Sequence, residues 1–280
     1  QTSIMKLIDS HCHLHDSEFY DDETRERTYR EAIHAGVAMI CVGTDTRSSH
    51  EAVAFAESHD NVWAVVGIHP HEAAANQASE IRELLVHKSD AVVGVGEIGL
   101  DYYYDHSPRG VQLERLGEQL RLAVEFDLPV SFHVRDEKAG GGAVWRDFWQ
   151  VFDKFTNVRG VLHSFTDTPA NLQAGLARGL YIGVNGISTF TKDPVQQKMY
   201  RELPLERMLL ETDAPYLTPA PFRGKMNIPA YVGKVAEFQA RVRGISLDDI
   251  ARITTANTQT LFGVKLCEKT YERPQENFRH

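Results

Sequence analysis

Short apolar runs alternate with helix-patterned stretches along this chain, and that alternation narrows the folds it can adopt. The runs are nearly continuous in apolar residues, which is typical of strands buried on both faces of a parallel sheet. We predict strands at residues 6–9, 39–42, 63–67, 92–95, 129–133, 160–163, 180–184 and 208–211. We predict helices at residues 24–35, 48–58, 78–87, 108–126, 143–155, 169–178, 194–202 and 231–243, and a last helix at 246–262.

Eight strands alternating with helices predict a single-domain α/β fold, the (β/α)8 TIM barrel. The length of 280 residues fits one such barrel, and 42% hydrophobic residues supply a sizeable core. An open doubly wound sheet is the alternative with the same alternation. We assign residues 5–264 to the barrel and the polar, aperiodic residues 265–280 to a C-terminal tail.

Charge and cysteine content restrict the possible partners. The net charge of −9 does not fit a protein that coats nucleic acid through a basic patch, although bound divalent metals would add local positive charge. Three scattered cysteines do not form a disulfide framework, so we expect a reducing, cytoplasmic setting. No apolar run approaches the roughly 18 residues of a membrane helix. We therefore expect no membrane partner, and we expect a monomer.

Metal-binding residue types cluster near the ends of the predicted strands. His11 and His13 form a His-x-His pair, and alternate residues of a strand share one face. Four more such residues follow other apolar runs: Glu97, His133, His163 and Asp213. The carboxyl ends of all strands meet at one face of a barrel, where active sites lie. Because unpartnered burial of polar groups is costly, the pattern predicts a metal site there.

Two divalent ions, Mg, Mn or Zn, fit this ligand set, since imidazole with carboxylate suits Zn or Mn and a carboxylate-and-water site suits Mg. We expect one ion to be held by His11, His13, Glu97 and Asp213. We expect the other to be held by Glu97, His133 and His163, with Glu97 as the bridge. Two such ions activate a shared water in many hydrolases. We assign catalytic roles to Glu97 and Asp213, with Asp213 as both ligand and proton acceptor.

Other residues near the predicted strand ends are candidates for contacts with substrate. His69 follows the third strand and is interpreted as a substrate contact, with a hydrogen-bonded loop histidine as an equal alternative. Asp101 follows Glu97 closely and could orient a ligand histidine. Tyr102, Tyr103 and Tyr104 could stack nucleobases, or at least one of them could pack under a neighbouring loop.

Basic residues near the presumed mouth could bind phosphate, because arginine offers a bidentate fork and lysine a point charge. They are Arg135, Arg223 and Lys225. Solvated loop charges are the alternative for each. Residues 94–99 match the dinucleotide fingerprint G-x-G-x-x-G, but no helix is predicted after the third glycine. We therefore expect no nucleotide cofactor.

Several motifs together resemble one known family, the TatD-like metal-dependent deoxyribonucleases within the amidohydrolase-type barrels. The matching stretches are Ile8-Asp9-Ser10-His11-Cys12-His13, Val66-Gly67-Ile68-His69-Pro70-His71, Val95-Gly96-Glu97-Ile98-Gly99-Leu100-Asp101-Tyr102, Leu162-His163-Ser164-Phe165-Thr166, Leu209-Leu210-Glu211-Thr212-Asp213-Ala214-Pro215-Tyr216-Leu217 and Pro221-Phe222-Arg223-Gly224-Lys225. The resemblance implies a (β/α)8 barrel and a divalent-metal hydrolase acting on DNA phosphodiesters, often as a 3′→5′ exonuclease. It carries metal roles onto the six ligand positions named above.

One stretch departs from that family's pattern. Members often carry Arg-Asn-Glu-Pro after the Arg-Gly-Lys stretch, where this chain has Met226-Asn227-Ile228-Pro229. Our hypothesis from sequence is a deoxyribonuclease that degrades single-stranded DNA from its 3′ end. A small-molecule amidohydrolase or lactonase with the same binuclear site is the alternative. A catalytically silent binding protein that keeps its metals for structure is a third hypothesis. It fits poorly, because structural metal sites fill their coordination shell with protein ligands, whereas this set, shared between two ions, leaves room for water.

Overall fold

The computed structural model describes residues 6–137 and 142–267, and its strands form one nearly closed barrel. Eight parallel strands follow one another around the sheet in the order β1 to β8. Their bounds are β1 Leu7–Cys12, β2 Val37–Val42, β3 Val62–Val66, β4 Val92–Asp101, β5 Val130–Arg135, β6 Gly160–Leu162, β7 Tyr181–Val184 and β8 Met208–Leu210. The predicted (β/α)8 barrel is confirmed, and the open sheet is excluded because β1 and β8 meet.

Ten α-helices surround the barrel in the described part of the chain. Their bounds are α1 Asp22–His34, α2 Thr46–Ser58, α3 Ala78–Val86, α4 Arg109–Glu125, α5 Ala143–Phe152, α6 Pro169–Ala177, α7 Ile187–Phe190, α8 Pro194–Glu202, α9 Val232–Arg243 and α10 Leu247–Phe262. The short helix α7 was not predicted, because four residues are too few to display a helical period. None of the described helices has the length and apolar character that a bilayer span requires.

Side-chain caps start several of these helices. Asp21 accepts a hydrogen bond from the backbone N–H of Thr24 at 2.7 Å, and Asp45 accepts one from Ser48 at 2.6 Å. Each cap satisfies a donor that the first helical turn leaves free. The caps hold the helix starts directly after the loops that leave the carboxyl ends of the strands, so they help to position the mouth of the barrel.

Burial along the strands explains their sequence pattern. β1, β2 and β4 are buried along their whole length, since helices cover one face and the barrel interior covers the other. Three strands run past their predicted carboxyl ends: β1 to Cys12, β4 to Asp101 and β5 to Arg135. Polar residues end an apolar run in sequence without ending the strand, because the barrel interior at this end is itself polar. Residues 94–99, the stretch that matches the dinucleotide fingerprint, lie inside β4.

The seam of the barrel joins β1 to the segment that follows β8. The backbone N–H of Asp213 donates to the carbonyl of His11 at 2.8 Å, and the N–H of His13 donates to the carbonyl of Ala214 at 2.9 Å. The buried carboxylate of Asp9 accepts the N–H of Thr212 at 2.8 Å and its hydroxyl as well. These bonds close the barrel and set three predicted metal ligands side by side.

The carboxyl-terminal tail that we predicted at residues 265–280 lies mostly outside the described residues. In the part described, the backbone N–H of Cys267 donates to the Asn61 side chain at 2.8 Å, and the Asn61 amide donates back to the Cys267 carbonyl at 3.1 Å. This pairing attaches residue 267 to the loop before β3. The division of the chain at residue 264 stays a prediction.

Asp9→Ala tests the seam. We expect the free energy of unfolding to fall by about 2–4 kcal/mol, since the buried N–H and hydroxyl of Thr212 would lose their acceptor. Denaturant titration followed by circular dichroism measures the change. Asp22→Ala, at a carboxylate that is almost fully exposed on α1, serves as the control. A loss no larger than the control's would mean that barrel closure does not depend on Asp9.

Candidate metal centre

A cavity of about 750 Å³ opens at the carboxyl ends of the strands, and predicted metal ligands line it. His11 ends β1 together with Cys12, and His13 follows directly. Glu97 lies inside β4 and His133 inside β5. His163 and Asp213 come just after β6 and β8. Five strands therefore deliver the six side chains to one place.

Glu97 lies at the centre of this group. Its Oε2 is 3.4 Å from His11 Nε2 and 3.9 Å from His13 Nε2. Its Oε1 is 3.0 Å from His133 Nδ1 and 3.4 Å from His163 Nε2. The side chain is buried, so its charge must be compensated within the site. Each carboxylate oxygen faces its own set of imidazoles, and His69 Nε2 also lies 3.7 Å from Oε1.

Asp213 approaches the same imidazoles from the seam. Its Oδ1 lies 3.2 Å from His13 Nε2, 3.7 Å from His11 Nε2 and 3.9 Å from His163 Nε2. The backbone of Asp213 has a φ of +57°, a left-handed conformation that is uncommon outside glycine. The segment after β8 holds this conformation through the seam, and the carboxylate thereby points into the cavity.

The outer nitrogens of His11 and His13 have partners away from the cavity. His13 Nδ1 donates to the carbonyl oxygen of Val42 at 2.7 Å, so the neutral ring keeps a free lone pair on Nε2. His11 Nδ1 lies 3.1 Å from the hydroxyl of Ser131, while its Nε2 is buried without a hydrogen-bond partner. Both inward nitrogens are available to a cation, which is the arrangement that metal-binding histidines adopt.

Asp101 holds His133 in a similar way. Its Oδ2 lies 2.8 Å from His133 Nε2 and 3.1 Å from His71 Nε2. Its Oδ1 accepts the backbone N–H groups of Tyr103 and Tyr104 at 3.1 and 2.9 Å. The carboxylate uses both oxygens, and it leaves Nδ1 of His133 facing Glu97. Sequence reasoning had named Asp101 as a possible orienting group for a ligand histidine.

Glu211 is a candidate site residue that the sequence analysis does not identify. Its Oε1 lies 2.9 Å from His163 Nδ1 and accepts the backbone N–H of Ser164 at 2.7 Å. The carboxylate is fully buried, and a Cβ on Gly183 would collide with it. Its signal in the sequence is a charged residue at the end of an otherwise apolar run, which is also compatible with the last position of the predicted strand at residues 208–211.

Electrostatics in the site favour charged carboxylates beside charged imidazoles. Burial opposes the ionised form of Glu97, but the field of His163, His69 and His11 outweighs it and holds the pKa of Glu97 well below its usual range. Burial likewise opposes the charged form of His133, yet hydrogen bonds to Asp101 and Glu97 raise its pKa to about 9. Protonated imidazoles thus balance the buried carboxylates, and divalent cations would take the place of those protons.

The pKa values of His163 and His11 shift in opposite directions, although the two rings share the same surroundings. Burial opposes the charge on His163, but the carboxylates of Glu211, Glu97 and Asp213 raise its pKa to about 10. Burial and the field of His163 lower the pKa of His11, whose ring is stacked on that of His163 at a centroid distance of 3.5 Å. One of the two stacked rings is therefore neutral and offers its lone pair.

Three groups of donor atoms in the described residues are close enough to hold a cation. They are His11, His13 and Asp213; His69, Glu97 and His133; and His11, His163 and Glu211. Imidazole and carboxylate donors of this kind fit a divalent transition metal. The first group matches one predicted ion site with Glu97 beside it. The second contains His69 where we had predicted His163, and the two histidines differ in how their outer nitrogens are held.

His69 is oriented differently from the other cavity histidines. Its Nδ1 accepts the backbone N–H of His71 at 3.0 Å, so the proton of the neutral ring resides on Nε2. Burial and the field of His133 keep the pKa of His69 well below its usual value, so the ring is neutral. Nε2 lies 3.7 Å from Glu97 Oε1. A neutral His69 in this orientation presents a hydrogen-bond donor to the cavity.

The predicted phosphate-binding residues occupy different places. Arg135 lines the cavity and is exposed, with its guanidinium 4.0 Å from the ring centroid of Tyr103. Arg223 and Lys225 are not among the described residues that line the cavity. Arg223 donates to the carbonyl of Thr218 at 2.9 Å and lies 3.8 Å from the Phe190 ring centroid. The substrate role of these three residues stays a prediction.

Tyr102 does not reach the cavity. It is 2% exposed, and its hydroxyl donates to Asp147 of α5 at 2.8 Å, so it packs against that helix. Two aromatic residues that the sequence had not indicated, Phe19 and Tyr216, do line the cavity. Arg47 also lines it and was not foreseen. It forms ion pairs with three carboxylates: Asp16, Glu18 and Glu51.

Comparison with known proteins places the chain among metal-dependent hydrolases. Residues 8–263 match the family described as TatD related DNase. The chain is 34% identical over 261 residues to the uncharacterized metal-dependent hydrolase YabD of Bacillus subtilis, covering 92% of this chain and 99% of that protein. It is 33% identical over 268 residues to the 3′-5′ ssDNA/RNA exonuclease TatD of Shigella flexneri, covering 92% and 99%. The crystal structure of YJJV, a TatD homologue from Escherichia coli, superposes with a TM-score of 0.83 at 30% identity, covering 93% of this chain and 99% of that one.

Asp101→Asn and Glu211→Gln test whether the outer carboxylates position the ligand histidines. An amide offers one oxygen where the Asp101 carboxylate uses two, so in Asp101→Asn one set of donors would face an NH₂ group. Glu211→Gln removes the negative charge that faces His163 Nδ1. We expect the affinity for Mn²⁺ or Zn²⁺ to fall about 10- to 100-fold in each variant. Calorimetric titration of metal into the purified protein measures it.

Asp147→Asn is the matched control, because Asp147 accepts a hydrogen bond from a tyrosine hydroxyl away from the cavity. It should bind metal as the wild type does. Unchanged metal affinity in both Asp101→Asn and Glu211→Gln, with the fold intact, would mean that these carboxylates do not hold the histidines in place.

Proposed function

Because this chain belongs to the TatD related DNase family of metal-dependent hydrolases, we propose that it is a nuclease that removes nucleotides from the 3′ end of single-stranded DNA. The observation that carries the proposal is the position of Glu97, whose two oxygens face separate sets of imidazoles at the floor of an open cavity. A carboxylate in that position is suited to bridge two cations. Relatives named as single-strand exonucleases match over the whole barrel and supply the substrate class.

In the proposed site, Glu97 is shared between two sets of ligands. One set is His11, His13, Glu97 and Asp213. The other is Glu97, His133 and His163. Divalent ions bound there, Mn, Zn or Mg, would supply positive charge that makes water more acidic and stabilises charge developing on a phosphoryl group. The imidazole-rich donor set favours Mn or Zn over Mg.

Asp213 is the proposed proton acceptor. It is the ligand carboxylate that is more exposed to the cavity, with 14% of its side chain accessible against 4% for Glu97. Burial opposes its ionised form, but the fields of His163, His13 and His11 hold its pKa below the usual range, so it is in the ionised form that a proton acceptor requires. In this mechanism Asp213 takes the proton of the attacking water as its oxygen bonds to phosphorus. The bond from phosphorus to the 3′ oxygen of the penultimate sugar breaks, and water protonates that oxygen.

His69 is proposed to donate a hydrogen bond to a phosphoryl oxygen through Nε2–H. The tautomer supports this role, because the backbone N–H of His71 occupies the lone pair on Nδ1. A donor aimed at the reacting phosphate would be worth more as negative charge develops on its oxygens. Arg135, at the outer edge of the cavity, is proposed to contact a phosphate farther along the strand.

The charge around the mouth supports a second candidate, a small-molecule amidohydrolase or lactonase. Four carboxylates line the cavity beyond the metal ligands: Asp16, Glu18, Asp45 and Glu72. Only two arginines, Arg47 and Arg135, appear among the described lining residues, and ion pairs engage Arg47. A neutral substrate would meet less repulsion from this wall than a polyanion does.

The direct test is release of label from single-stranded DNA carrying a 3′ or a 5′ label, in EDTA and after addition of Mn²⁺, Zn²⁺ or Mg²⁺. We expect metal-dependent loss of the 3′ label first. Glu97→Ala and Asp213→Ala should each lose nearly all activity and keep the circular dichroism spectrum of the wild type. Asp153→Ala, in an exposed ion pair with Arg178 directly after α5, is the control and should cleave as the wild type does.

Wild-type turnover in purified Glu97→Ala or Asp213→Ala would contradict the proposed site. Absence of DNA and RNA cleavage with every metal, together with hydrolysis of an amide or lactone from a test panel, would favour the second candidate.

His69→Leu and His69→Gln test the donor role. We expect His69→Leu to lower kcat/KM on single-stranded DNA about 100-fold, since the donor to the phosphoryl oxygen is lost. Metal affinity should change little, and His69→Gln should recover part of the activity because its amide can still donate. A large loss of metal affinity in His69→Leu would instead make His69 a metal ligand.

A further inference from the structure

Two tyrosines are half exposed at the mouth of the cavity, whereas the candidate metal ligands beneath them are largely buried. Tyr104 is 49% exposed and Tyr216 is 50% exposed, and both line the cavity. Tyr104 follows β4 and Tyr216 follows β8. Strands four positions apart in an eight-stranded barrel lie on opposite sides of it. The two rings therefore stand on opposite sides of the candidate metal centre.

Contacts with neighbouring residues fix the orientation of the Tyr104 ring. Its backbone N–H donates to Asp101 at 2.9 Å. Its ring is parallel to that of His106, with centroids 5.3 Å apart and an interplanar angle of 4°, and the His71 ring meets it at 89°. The Arg135 guanidinium lies 5.1 Å from its centroid. Neighbours thus fix the orientation of a large aromatic side chain that still exposes half of its area.

Tyr216 is supported from the opposite side. Phe19 meets its ring at 78° with a centroid distance of 5.5 Å. The backbone N–H of Tyr216 donates to the carbonyl of Asp213 at 2.9 Å, and its carbonyl accepts the Asn227 amide at 2.6 Å. The ring is therefore tied to the segment that carries a proposed metal ligand. Glu18, which lies one residue before Phe19, also lines this side of the cavity.

We propose that Tyr104 and Tyr216 are base-stacking platforms, which bind the two nucleobases on either side of the scissile phosphodiester of single-stranded nucleic acid. The inference rests on the proposed nuclease function and extends it to the residues that recognise the substrate. Every base has a π-face, so stacking of this kind is tolerant of sequence. In a duplex the bases are already stacked and paired, so the platforms favour single strands and frayed ends.

The charges on the two sides of the cavity set the direction in which the nucleic-acid strand lies. Arg135 lies beside Tyr104, whereas Glu18 and Asp16 lie on the Tyr216 side and Arg47 there is engaged by carboxylates. All phosphates of the strand except the scissile one belong to the part that stays intact. That part therefore lies over Tyr104 and Arg135, with the penultimate base on Tyr104. The terminal base, which leaves as a mononucleotide, stacks on Tyr216.

Oligonucleotides that carry one abasic residue test the two platforms separately. With the wild-type enzyme in Mn²⁺, removal of the terminal base or of the penultimate base should each lower kcat/KM about tenfold. In Tyr216→Leu, removal of the terminal base should no longer lower kcat/KM, whereas removal of the penultimate base still should; this fall in kcat/KM is the penalty of each position. Tyr104→Leu should do the reverse. Tyr104→Phe and Tyr216→Phe keep the ring and should keep both penalties.

Tyr181→Leu is the control, since Tyr181 starts β7 at the opposite end of the barrel and should leave both penalties in place. Unchanged penalties in both leucine variants of the mouth would overturn the platforms while the nuclease function stands. Loss of the penalty at the other position in each variant would overturn the assigned direction of the strand.

Binding without cleavage separates the inference from the proposed function. Oligonucleotides with 2-aminopurine at the terminal or penultimate position, mixed with protein in Ca²⁺, should show quenched fluorescence that the matching leucine variant loses. If the wild type cleaves no nucleic acid but quenches in this pattern, the nuclease proposal fails and the platforms stand. If it neither cleaves nor quenches, both are overturned.

Discussion

Closure of the barrel between β1 and the segment after β8 is the constraint on which the rest of the site depends. The bonds that close it run from Asp213 to His11 and from His13 to Ala214, and the Asp9 carboxylate adds a side-chain link to Thr212. The same backbone groups therefore complete the sheet and align three of the candidate ligands. A change that loosened the seam would misplace the metal centre before it exposed the core, because His11, His13 and Asp213 themselves form the closing backbone bonds.

Acceptors behind the imidazoles decide what each ring can do. His13, His133 and His163 have an oxygen at the nitrogen that points away from Glu97, supplied by Val42, Asp101 and Glu211. His69 has a donor there instead, the N–H of His71. Rings that look equivalent in the sequence thus divide into proposed metal ligands and a proposed donor to substrate. Because the partners come from different strands and loops, the division exists only in the folded barrel.

Much of the fold and of the candidate site could be predicted from local pattern. Buried parallel strands are continuous in apolar residues, and the polar residues that end those runs lie at the mouth, so the same pattern indicated the barrel and His11, His13, Glu97, His133, His163 and Asp213 together. Glu211 escaped notice because one charged residue at the end of an apolar run has no period of its own. Arg223 and Lys225 were selected for charge and proximity along the chain, which do not tell where a long loop carries a side chain.

The sequence by itself determined the barrel and the set of residues that converge at its mouth, since burial and strand order follow from the spacing of apolar runs. Only the tertiary structure decided which nitrogen of each histidine faces Glu97, which tyrosine is buried and which two stand exposed across the cavity from one another. Tyr102 and Tyr104 lie two residues apart, yet Asp147 holds the first inside while Arg135 and His106 pack on the second. Such choices depend on contacts between residues far apart in the chain, and no local pattern encodes them.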